Sequence, residues 1–153
     1  VAALDVTDIV ADLHHDCANR LEGDIPKQLK AGQDVFILGF PFGRISGAPA
    51  PVWKRGSIAL DPTLNPEGLP KMLVDTATRE GMSGSVVISM FPVPEHDTRR
   101  GDDPRPVYAK EYPTVIGVYS GRHYPDLEKA QLGIVWKRAT VEAIVESGVT
   151  PRT

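Results

Sequence analysis

The run Gly81-Met82-Ser83-Gly84 sets one serine between two glycines. A serine on the tip of a tight turn offers an open hydroxyl with a backbone amide on each side. Gly81 can adopt a positive φ at no steric cost, which would turn its N–H toward the same spot as that of Ser83. Two converging N–H groups bind the oxygen of a tetrahedral acyl intermediate. Gly84 leaves room for a substrate backbone to approach, and Met82 is expected to point away and pack. The chemistry implied is acyl transfer at Ser83. A bare tetrapeptide of this kind is better explained by a glycine-rich turn with an incidental serine, because short motifs match by chance. Its context decides.

The elements that must hold this tip are strands. Lys71–Thr76 and Gly84–Met90 flank the turn and are rich in β-formers. Gln33–Phe40 reads as a strand stopped by Pro41, and Val52–Leu60 as another, with Gly56 a candidate bulge. Thr114–Ser120 and Gln131–Lys137 supply two more. Phe91–Pro113, polar and rich in proline and aspartate, is expected to be a long loop. Thr140–Ser147 reads as a closing helix with Val141, Ile144 and Val145 on one face and Gly148 at its stop. Val1–Val6 is a short strand candidate, and Thr7–Leu21 a turn or short helix. Short strands at this spacing predict an all-β fold, an antiparallel six-stranded barrel with a C-terminal helix.

Composition narrows the function classes. The chain has 153 residues, 41% of them apolar and 24% charged, enough for one modest core. Gly and Pro, 14 of each, favour many turns over long helices. The net charge of −3 and the lack of a basic run give no footprint for nucleic acid or an anionic membrane. No apolar run reaches the roughly 18 residues of a spanning helix. The single cysteine, Cys17, cannot form an internal disulfide. Trp53, Trp136 and the tyrosines read as core or pocket walls. His14-His15-Asp16-Cys17 has metal-ligand residue types but not the spacing of a zinc site, so neither a metal nor another cofactor is expected.

With the flanking strands included, the segment Leu73–Ile88 resembles the nucleophile loop of trypsin-like serine peptidases, which carry Gly-x-Ser-Gly before a strand. The likeness extends further. Asp34-Val35-Phe36-Ile37-Leu38-Gly39-Phe40-Pro41 resembles the opening strand of that family's second barrel, which runs into Gly-aromatic-Pro. Lys54–Ile58 resembles the next strand. Ile116-Gly117-Val118-Tyr119-Ser120-Gly121 resembles the strand beside the substrate, and Leu132-Gly133-Ile134-Val135-Trp136 the back of the specificity pocket. The matches run in family order over about residues 31–148, closest to the disulfide-free bacterial branch. Val86 departs from the proline common there. The absence of disulfides is compatible with a cytoplasmic setting.

This resemblance implies a serine endopeptidase acting on peptide or protein. Ser83 would be the nucleophile, and the amides of Gly81 and Ser83 the oxyanion donors. Ser120 would position the substrate backbone. The pocket base falls at Ala77, which with Ser120 and Gly121 on the wall would favour small or apolar side chains. Arg122 would narrow that pocket or attract an acidic side chain. Asp75 is expected to hydrogen-bond within the barrel.

The family order is His, Asp, Ser. His96 and His123 follow Ser83, and His14 and His15 precede it too closely to belong to a first barrel. Val1-Ala2-Ala3-Leu4 fits the positions just after the family's aspartate, and Asp5 is a second position for that orienting carboxylate. Residues 1–30 therefore read as the tail of a first barrel and a linker, and 31–153 as the second barrel with its helix. Such a chain alone is expected to lack the base and to show no useful proteolysis. Its exposed barrel face would favour a homo-oligomer. Two other readings stay open: a non-catalytic peptide-binding module or pseudo-peptidase of the same fold, and a plain barrel interaction domain.

Overall fold

The computed structural model describes residues 28–41, 51–77, 81–92, 111–122 and 131–147. The element order is β1 (Asp34–Gly39), β2 (Val52–Ile58), a 3-10 turn (Pro66–Gly68), β3 (Lys71–Asp75), β4 (Val86–Pro92), β5 (Glu111–Arg122), β6 (Leu132–Lys137) and α1 (Arg138–Ser147). The six strands close into an antiparallel barrel in the order β1-β2-β3-β6-β5-β4. Closure leaves no free edge along the wall, which is how a small sheet avoids pairing with other chains.

Alternation along the strands builds the interior. In β1, Val35, Ile37 and Gly39 turn inward and Asp34, Phe36 and Leu38 outward. Val74 and Val135 face inward from β3 and β6, and with Val87 and Tyr119 they form one core. Leu29, just before β1, packs against it. Gly133 is required there, since a Cβ would stand 2.6 Å from the Tyr119 ring. Ser89, fully buried, donates to the Asp34 carbonyl at 2.6 Å and accepts from Gln33 at 3.0 Å. Among the described residues, no buried side-chain nitrogen or oxygen lacks a partner, as a stable interior demands.

Several expectations are corrected. The Phe91–Pro113 loop is shorter at both ends: β4 runs on to Pro92 and β5 begins at Glu111, with Phe91 opposite Tyr112 and Pro92 opposite Glu111. The prolines misled because at these positions near the strand ends the barrel tolerates a missing N–H. Gly56 is no bulge in the β1–β2 ladder, where it pairs in unbroken register with Val35. A Cβ there would meet the Asp75 carbonyl at 2.6 Å, so glycine serves close approach to β3. Register shifts fall instead at Val87/Ile88 and at Tyr119/Gly121. Trp53 is no core residue; it is 55% exposed, with its ring 5.9 Å from that of Phe36 on the outer wall. In α1 Val145 is exposed, and the helix buries no residue completely. No helix among the described residues is long and apolar enough to cross a membrane.

Candidate active site

The turn Gly81–Ser85 just before β4 is hitched to β5 by a two-bond clasp. The Gly84 N–H donates to the Tyr119 carbonyl at 2.8 Å, and the Tyr119 N–H to the Ser85 carbonyl at 2.9 Å. The Ser85 N–H closes the turn on the Met82 carbonyl at 3.1 Å. Met82 is buried and belongs to the core cluster, as expected of a residue that points away from the tip. The turn is thus anchored from below by a side chain and from the side by a ladder.

Gly81 and Gly84 take φ values of 88° and 87°, in the left-handed region that favours glycine. Ser83 between them is exposed, and its hydroxyl donates to the Ser120 carbonyl at 3.2 Å. Among the described residues, the N–H groups of Gly81 and Ser83 donate to no carbonyl. Gly121 has φ 134°, and a Cβ on it would lie 3.9 Å from the Ser83 hydroxyl oxygen.

Ser120, Gly121 and Arg122 complete β5. They lie past the last β4 partner, Val86 opposite Val118, while β6 still pairs with Gly121 and Arg122. Among the described residues the β4 ladder thus ends before Ser120, and Ser83 stands beside that end of β5.

Of the expected site residues, Ser83, Ser120 and Gly121 come together. Ala77 is exposed just past β3, where the Thr76 N–H donates to the Gln131 carbonyl at 3.0 Å. Arg122 is exposed at the end of β5. The Asp75 side chain is exposed and makes no hydrogen bond among the described residues, against the expectation of a bond within the barrel. Asp5, His14, His15, Cys17, His96 and His123 lie outside the described residues. Among the described residues, no group of three His, Cys, Asp or Glu could hold a metal ion.

Phe40 and Val52 are about 40% exposed at the end of β1 and the start of β2, beside Gly39. By type they look like core. Their places at strand ends were the available signal. Scans of the chain against protein-family models and curated proteins return no match.

Proposed function

We propose that the chain is the nucleophile-bearing barrel of a serine endopeptidase of trypsin-like type. The supporting observation is the exposed Ser83 hydroxyl on a glycine-flanked turn, bonded to the Ser120 carbonyl of β5. An extended peptide laid beside Ser120 and Gly121 would carry its backbone past that hydroxyl. The Ser83 oxygen would then attack the scissile carbonyl and give its proton to a base. The Gly81 and Ser83 amides would take the oxyanion, and collapse would release the amine from an acyl-serine that water hydrolyses. A serine needs that base, because its hydroxyl alone is a weak nucleophile. In the family the base and its carboxylate precede this barrel, so they would come from a first barrel docked against it. Without them, catalysis in triad proteases falls to roughly 10³–10⁴ over water.

A non-catalytic peptide-binding module is the second reading. It is favoured by the present partner of Ser83, a backbone carbonyl rather than a base. Labelling of the full-length protein with a fluorophosphonate probe separates the two. A serine peptidase is modified at Ser83 and loses the label in Ser83→Ala. An unmodified Ser83 in a protein that still binds peptide leaves the binding module.

A further inference from the structure

A cavity of about 280 Å³ opens at one mouth of the barrel. It lies at the end away from Ser83. β5 runs from Thr114 at the cavity to Ser120 at the Ser83 turn, and β3, β4 and β6 bring Met72, Phe91 and Lys137 to the same end. Met72, Phe91 and Ile116, all buried, make its apolar floor. Leu29 and Pro62 add apolar sides, and the first turn of α1 stands at the opening. Barrel mouths are among the places where small ligands settle, in pockets walled by apolar groups with a few fixed polar ones.

Among the described residues, three charged side chains line this cavity, and two of them pair with each other. The Arg138 Nε donates to the Glu142 carboxylate one turn on along α1. The third is Lys137, whose ammonium carries three N–H donors. Two of these go to neutral oxygens, the Leu64 carbonyl at 2.9 Å and the Asn65 amide oxygen at 2.7 Å. Asp61 attracts the ammonium without bonding to it, its carboxylate being taken by the Thr63 hydroxyl and amide. Burial outweighs that attraction and pushes the Lys137 pKa below its ordinary 10.5. A cation held at an apolar wall by neutral acceptors gains more from an anion than a fully solvated lysine does.

We infer that this barrel mouth binds a single-chain carboxylate, its head on the Lys137 ammonium and its hydrocarbon tail over Met72, Phe91 and Ile116. The volume sets the tail length. At about 30 Å³ for each group the size of a water molecule, the 280 Å³ cavity takes about nine groups, a chain of about eight to ten carbons. Each methylene that enters tightens binding by about three- to fourfold until the mouth is full. The site stands at the opposite end of the barrel from Ser83, so it holds whether or not that hydroxyl reacts.

The test is calorimetric titration of the full chain with hexanoate, octanoate, decanoate and dodecanoate, each below its micelle concentration. Affinity should rise by about three- to fourfold per methylene up to decanoate and level off at dodecanoate. Octan-1-ol and octyltrimethylammonium should bind at least about tenfold more weakly than octanoate. Lys137→Gln, which can still donate to the Leu64 carbonyl, should erase the preference for octanoate over octanol and leave octanol affinity within about twofold. Ala139→Phe, on the exposed first turn of α1, should block the mouth and abolish binding of both, with circular dichroism unchanged. Failure of every chain to bind overturns the site, and is what a mouth covered by another part of the protein predicts. Equal binding of octanoate and octanol by the unaltered protein overturns the role of Lys137 without recourse to a variant, as does a preference that survives Lys137→Gln. Binding that persists in Ala139→Phe places the amphiphile elsewhere on the surface and overturns the site as well.

Discussion

Gly39 and Ser85 approach so closely that a Cβ on Gly39 would lie 2.0 Å from the Ser85 hydroxyl oxygen. β1 thus presses against the base of the turn that carries Ser83. In Gly39→Ala the Ser85 side chain must rotate and Met82, at 3.1–3.2 Å, must give way. Overpacking of this kind costs about 1–3 kcal/mol. Gly117 is a harder case, because its Cβ would meet the backbone carbonyl of Trp136 at 2.0 Å and a backbone cannot rotate aside. Gly117→Ala should therefore lose more stability than Gly39→Ala, above about 3 kcal/mol. Urea midpoints of the two variants in the reverse order would refute this.

Met82 links the core to the Ser83 turn. It is 2% exposed, and its sulfur faces Gly39. Met82→Ala should cost about 2–5 kcal/mol through the cavity it leaves. Met82→Leu conserves volume and should cost less than about 1.5 kcal/mol. The alanine variant should also slow fluorophosphonate labelling of the full-length protein, because the residue next to Ser83 loses its anchor. Equal labelling rates in the two variants would show that the turn is held by the clasp to Tyr119 alone.

The barrel was legible from the sequence because its strands are written in alternation: Val35, Ile37 and Gly39 fall on one face and Phe36 and Leu38 on the other. The Ser83 turn was legible because glycine is the residue that adopts φ near 88° without strain. What stayed hidden was nonlocal. Whether Gly56 bulges or admits a neighbour depends on where the Asp75 carbonyl comes to rest, which no local pattern encodes. The exposure of Trp53 follows from its place on the outer wall near a strand end, and residue type alone points the other way. The prolines of β4 and β5 suggested a loop, since their cost depends on whether a ladder N–H is needed there.

A pH effect follows from the loop before β3. The Thr63 hydroxyl donates to the Asp61 carboxylate at 2.7 Å and the Thr63 amide at 2.9 Å. These two bonds, with the smaller attraction of Lys137, hold the Asp61 pKa below its ordinary 3.8. A carboxyl lowered on folding stabilises the fold above its ordinary value, and that contribution fades as the pH falls through the folded value. Asp61→Asn should therefore flatten the dependence of the urea midpoint on pH below about 4. Thr63→Val, which keeps the amide bond, should flatten it in part. A full acid limb in the asparagine variant would assign the effect elsewhere.

Gly121 offers the most direct probe of the strand end beside Ser83. Its φ of 134° strains any residue with a side chain, and its Cβ would enter the space 3.9 Å from the Ser83 hydroxyl oxygen. Backbone strain alone should lower stability by about 1–3 kcal/mol in Gly121→Ala. The new methyl would also stand where an added peptide strand must approach Ser120–Arg122. Peptide affinity should therefore fall by about tenfold or more, measured on the full-length Ser83→Ala protein at a temperature where both forms are folded. The bond from Ser83 to the Ser120 carbonyl involves no Gly121 atom, so the hydroxyl itself need not move. A variant that loses stability but binds peptide normally would mean that substrate does not pair with this end of β5.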